Sequence, residues 1–117
     1  MKIIASILIL SGSFFGISDT YDKTQAQIEN AIEERDFLTV KVLLNDLMPI
    51  LKEDIKEDKK ALNENKQNQE LANDLSIALD KKNEIYHKLH HLLKVSPAAV
   101  RVQSGEIVKL LNEYKTL

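Results

Sequence analysis

His87, His90 and His91 are the only histidines in the 117-residue chain, and they cluster. On a helix His87 and His91 lie one turn apart on a shared face, the arrangement a metal-binding pair uses. Neutral imidazoles in that position suit zinc, copper or nickel. Glu84-Ile85-Tyr86-His87 also has the Glu-x-x-His spacing of di-iron helical bundles. That architecture needs a second Glu-x-x-His from another helix, and the chain has no further histidine to supply it. The expected cofactor is therefore none. A metal site on His87 and His91, with His90 as a further donor, is the competing reading. Against it, the apolar seam of the same helix places all three histidines on the side facing away from the core, as solvated surface residues.

His91-Leu92-Leu93-Lys94 resembles the His-x-Leu-Lys core of histidine phosphotransfer domains, which are helical bundles. The resemblance covers four residues. Val95 stands where a glycine usually follows, and Pro97 interrupts a stretch that the family keeps helical. Other routes to catalysis find no residues. The chain has no cysteine nucleophile, no Gly-x-Ser-x-Gly elbow and no glycine-rich phosphate loop. The acids are expected along solvated helix faces, without the apolar surroundings that would raise a carboxyl pKa. No enzyme activity is expected.

Two charged features remain. Lys52-Glu53-Asp54-Ile55-Lys56-Glu57-Asp58-Lys59-Lys60 is dense but nearly balanced. It reads as an exposed helix face with pairs such as Glu53 with Lys56 and Glu57 with Lys60. Lys82 falls within an otherwise apolar seam. A polar residue there can select a register or a partner, so Lys82 is a candidate partner-interaction residue. The alternative is a lysine that snorkels at the core edge.

Helices must position these groups. A first helix is expected from about Thr20 to Arg35, capped by Asp19 or Thr20, with Tyr21, Ile28, Ala31 and Ile32 on its buried face. After a turn at Asp36, a second starts near Phe37 and reaches about Leu62. Its stripe is Phe37, Val40, Leu44, Leu47, Leu51 and Ile55, which keeps phase across Pro49 and so predicts one kinked helix. Residues 63–69 contain no apolar side chain and read as a loop. The third helix is expected from about Glu70 to Lys94. Leu71, Leu75, Ala78, Lys82, Ile85, Leu89 and Leu92 form a strict heptad seam along it. Ser96-Pro97 is a helix start. The last helix runs to about Tyr114 on Val100, Ile107, Leu110, Leu111 and Tyr114, with Gly105 placed to bend or split it. Strand patterns are missing. The expected fold is all-α, a small antiparallel three- or four-helix bundle. Residues 31–47 look a little like a tetratricopeptide helix pair, but no second copy follows.

The N-terminus decides the compartment. Met1-Lys2 precedes the apolar run Ile3–Leu10, then Ser11–Ser18 is rich in small residues, and the first acid is Asp19. This is the layout of a secretory signal peptide, with Gly16 and Ser18 at the −3 and −1 positions of a cleavage site. An uncleaved anchor and a core helix are the competing readings. As an anchor the segment is short, because a spanning helix wants about 20 apolar residues. Residues 19–117 then form one domain. The chain has no cysteine, so neither a lipoprotein anchor nor a disulfide is available.

The formal net charge is −2, from 16 Lys+Arg against 18 Asp+Glu; without Lys2 it is 15 against 18, or −3. That balance leaves no electrostatic footprint for nucleic acid, and the few aromatic residues offer no stacking platform. The expectation is a secreted or periplasmic, non-catalytic protein that binds another protein through a helix face or groove, with an inhibitor or immunity protein as a special case. Self-association is open, and the membrane enters only through residues 1–18 if they are retained. The alternative is a small-ligand or metal carrier using the histidine patch or a cleft.

Overall fold

In the computed structural model, backbone is described for residues 13–117 and side chains from residue 19 on. The signal-peptide reading therefore lies almost wholly outside the described residues. Among the described residues five helices follow one another: α1 (Ser13–Glu33), α2 (Phe37–Glu64), α3 (Gln69–His91), α4 (Pro97–Val102) and α5 (Ser104–Lys115). A single 3-10 turn, Leu92–Lys94, ends the α3 segment. The fold is all-helical, with no strand among the described residues.

Each junction has a chemical cause. Asp36 caps α2, its carboxylate accepting from the Thr39 N–H at 3.2 Å and from the Thr39 hydroxyl at 2.6 Å. Asn68 caps α3 by accepting from the Leu71 N–H, and Ser96 caps α4 from Ala99 with Pro97 in the first turn. Two features differ from expectation, and one agrees with it. The α1 backbone is helical from Ser13, upstream of the expected start near Thr20. α2 is one helix across Pro49, as its stripe predicts, and Pro49 lies on the exposed face where water can meet the carbonyl that proline leaves unbonded. The last segment splits at Gln103 rather than at Gly105, which sits in the first turn of α5 with open space around it.

α1 ends in a Schellman motif. The Asp36 N–H donates to the Ala31 carbonyl at 2.9 Å and the Arg35 N–H to the Ile32 carbonyl at 3.0 Å. This places Arg35 in the left-handed region, with φ of 59°. An L side chain there is disfavoured and glycine is free of the clash. Arg35→Gly is therefore expected to raise stability by about 1 kcal/mol, seen as a higher urea midpoint with an unchanged slope.

Packing follows the seams. α2 touches α1, α3 and α4, while α5 packs on α1 and α3. α2 is 28 residues long, about 42 Å at 1.5 Å per residue. It accounts for most of the 47 Å long axis. Ile28, Val40, Leu44, Leu47, Leu51, Ile85, Leu89, Val100, Ile107 and Leu111 are sealed from solvent in one shared core. The Lys41 ammonium donates to the Val95 carbonyl and so ties the turn before α4 to α2.

Candidate functional site

The seam of α2 is more regular than its apolar residues suggest. Positions 37, 40, 44, 47, 51, 54 and 58 step alternately by three and four, and the last two are Asp54 and Asp58. Both are buried, at 6% and 5% exposure. The facing seam on α3 carries Lys82, which is 4% exposed. Its ammonium donates to Asp54 Oδ2 at 2.9 Å and to Asp58 Oδ2 at 2.7 Å. From α5 the Tyr114 hydroxyl donates to the same Asp54 Oδ2 at 2.7 Å, and the Lys82 Nζ lies 5.4 Å from the Tyr114 ring centroid. Tyr21 on α1 stacks on Tyr114 at 5.6 Å and donates its hydroxyl to the Leu111 carbonyl at 2.6 Å. One polar cluster thus joins four helices.

Its electrostatics are those of charge taken out of water. Burial alone would push the Lys82 ammonium down, but Asp54 and Asp58 more than offset this and hold it above the usual lysine value. Burial pushes Asp58 up despite the attraction of Lys82. It also pushes both phenols well above the usual tyrosine range, helped by the Asp54 carboxylate, so Tyr21 and Tyr114 stay protonated donors. A buried ion pair returns in attraction roughly what it costs in desolvation. The cluster therefore fixes register more than it adds net stability. Sliding α3 along α2 would leave three buried charges unmatched.

Two expectations are corrected here. Lys82 does not snorkel, because two carboxylates in the facing seam draw its ammonium inward. Its ammonium is engaged within the chain by both carboxylates. The segment Lys52–Lys60 is an exposed face only in part: Lys52, Glu53, Lys56, Lys59 and Lys60 are exposed, while Asp54 and Asp58 turn into the core. A second polar bridge lies nearby, where buried Gln25 donates to Asn112 Oδ1 at 2.8 Å and to Glu29 Oε2 at 3.1 Å. Its own Oε1 has no hydrogen-bond partner among the described residues.

The histidines lie elsewhere on α3. His87 and His91 are exposed and line an open cleft of about 470 Å³ between α3 and α5, together with Lys88, Leu92, Gln103, Glu106 and Leu110. His90 does not line the cleft; it stacks on Tyr86, with ring centroids 5.9 Å apart, and the same ring meets His87 edge-on at 5.7 Å. Glu84 pairs with Lys88 at 3.2 Å, so the Glu-x-x-His acid is engaged along its own helix. Among the described residues no three His, Cys, Asp or Glu side chains are grouped to hold a metal ion. His91 is the last residue of α3, and the chain tightens into the 3-10 turn immediately after it. It therefore does not sit mid-helix, as the phosphotransfer resemblance requires. Comparison with protein families, with curated sequences and with solved structures finds no match for this chain.

Proposed function

We propose that the chain is an exported, non-catalytic interaction module. Its helices form an antiparallel bundle held in register by the Lys82 cluster, and it acts by presenting a helix face to another protein. One observation carries the reading. Leu38 and Val42 stand one turn apart on α2 with 65% and 55% of their surface exposed, outside the core that the same helix helps to build. Large apolar side chains paired on an outer face are suited to contact. Export rests on the leader pattern of residues 1–18. No helix among the described residues is long and apolar enough to cross a membrane.

A second reading is favoured by the placement of both His87 and His91 on the wall of one cleft. It makes the protein a carrier that offers two imidazoles to zinc, copper or nickel, the remaining positions being filled by water or by a second molecule. One experiment separates the two. The tagged full chain and a Leu38→Glu, Val42→Glu variant are each incubated with an envelope fraction, and the recovered proteins are quantified by mass spectrometry. The interaction reading expects a protein recovered in near-stoichiometric amount by the wild type and lost with the variant. Equal recovery by both rejects it. The carrier reading instead expects calorimetric heat with one of the three ions, lost in a His87→Ala, His91→Ala variant.

A further inference from the structure

We propose that the Lys82, Asp54 and Asp58 cluster is a proton-uptake site, in which Asp58 gains a proton and the junction of α2 with α3 tightens as the pH falls. The inference is independent of which partner the protein binds. It begins from a mismatch of charge. Two carboxylates meet one ammonium at 2.9 and 2.7 Å, in a place where no side chain of the three is more than 8% exposed. With both aspartates ionised the cluster carries one uncompensated negative charge out of water, which is expensive.

Among the described residues, Lys82 is the cation that acts on Asp58. On α2, Asp58 is met by the charges of Asp54 and Glu57, both acids; on α3 it meets Lys82. α5 contributes Tyr114 and α1 contributes Tyr21, both neutral phenols. Lys56, Lys59 and Lys60 belong to the same helix as Asp58 but are exposed. A proton is the remaining way to cancel the charge.

The geometry also says which acid takes it. Asp54 Oδ2 accepts from both Lys82 and Tyr114, whereas Asp58 Oδ2 accepts from Lys82. Asp58 is thus the carboxylate with fewer donors, and it takes the proton. Proton uptake places an O–H on Asp58 Oδ1 and leaves Oδ2 accepting from Lys82, so no contact breaks while the cluster becomes neutral. The direction of titration agrees, since burial raises Asp58 and the two acids hold Lys82 in its charged form.

The sign of the effect follows from linkage. A carboxyl whose folded pKa lies above its unfolded value binds its proton more tightly in the native state. Stability from Asp58 therefore grows as the pH falls through the raised folded value and is complete below 3.8. Exposed Asp36 and Glu84 are held low by Thr39 and Lys88 respectively, so they work in the opposite direction and only in stronger acid.

The test is urea unfolding of the full chain and of an Asp58→Asn variant, at about pH 7.5 and about pH 5. Each unit by which folding raises the carboxyl changes the folded-to-unfolded ratio about tenfold. On acidification the ratio for the wild type should rise relative to that for the variant. A constant or falling relative ratio overturns the proposal. Carbon-13 NMR titration of the Asp58 carboxyl in the wild-type protein decides the matter without a substitution. A midpoint above the ordinary aspartate value supports the site, and one at or below it overturns it.

Discussion

Lys82→Met should lower folding stability by about 3–5 kcal/mol at neutral pH, the largest effect expected of any single charge change in this chain. Methionine keeps most of the apolar stem, so the loss reports the ammonium rather than packing. Removing it leaves Asp54 and Asp58 facing each other, buried, with Tyr114 as the remaining donor to Asp54. Near neutral pH neither carboxylate then has a counter-charge. For a domain of this size such a loss lowers Tm by roughly ten degrees or more. Replacing all three charges should undo much of it: Lys82→Met with Asp54→Asn and Asp58→Asn removes the unmatched anions together with the cation. In the wild type the folded state holds Lys82 above 10.5. Its contribution is therefore complete below that value and is lost as the pH rises through the folded value. A urea midpoint for Lys82→Met within about 1 kcal/mol of the wild type would show that the cluster is not closed in solution.

Tyr21→Ala should come next, at about 3–5 kcal/mol. The ring is 5% exposed and stacks on Tyr114 with 19° between the planes. Alanine at this position opens a cavity between α1 and α5. It also leaves the Leu111 carbonyl without the phenol that satisfies it. Tyr21→Phe isolates the second effect at about 1–3 kcal/mol. Hydrogen exchange should locate the damage, with amides of α5 near Leu111 losing protection in Tyr21→Ala while those at the caps of α3 do not. A loss below about 1 kcal/mol would mean that α1 is not seated on α5.

These two residues also show how much of the molecule could be read from its sequence. Helix positions were legible because the punctuation is chemical: Asp36, Asn68 and Ser96-Pro97 open three helices by capping or pre-setting the backbone. The core followed from period, as Leu44, Leu47, Leu51, Leu89, Ile107 and Leu111 all proved sealed. The ends were less legible. Nothing in the composition of residues 13–19 separates the start of α1 from a leader, and a glycine at 105 attracted a break that hydrogen bonding places at Gln103.

The cluster was missed for a specific reason. Following apolar residues along α2 leads from Leu51 to Ile55, a step of four, and the charges on either side are set aside as solvent-facing. The strict three-four alternation leads instead from Leu51 to Asp54 and Asp58. Lys82 had already been placed in the seam of α3, and a seam lysine needs a partner of opposite sign in a facing seam. Complementary charges at seam positions of two different helices are the signal. Tyr114 gave no such warning, because a tyrosine on an apolar stripe does not disclose which acceptor its hydroxyl reaches.

Nitrogen-15 NMR of the lysine ammonium groups in the full chain tests the buried cluster most directly. One ammonium, assigned to Lys82 by its disappearance in Lys82→Met, should exchange slowly with water and titrate above the ordinary lysine value. If every lysine instead exchanges rapidly and titrates together, Lys82 is in water and the four helices are not joined as described.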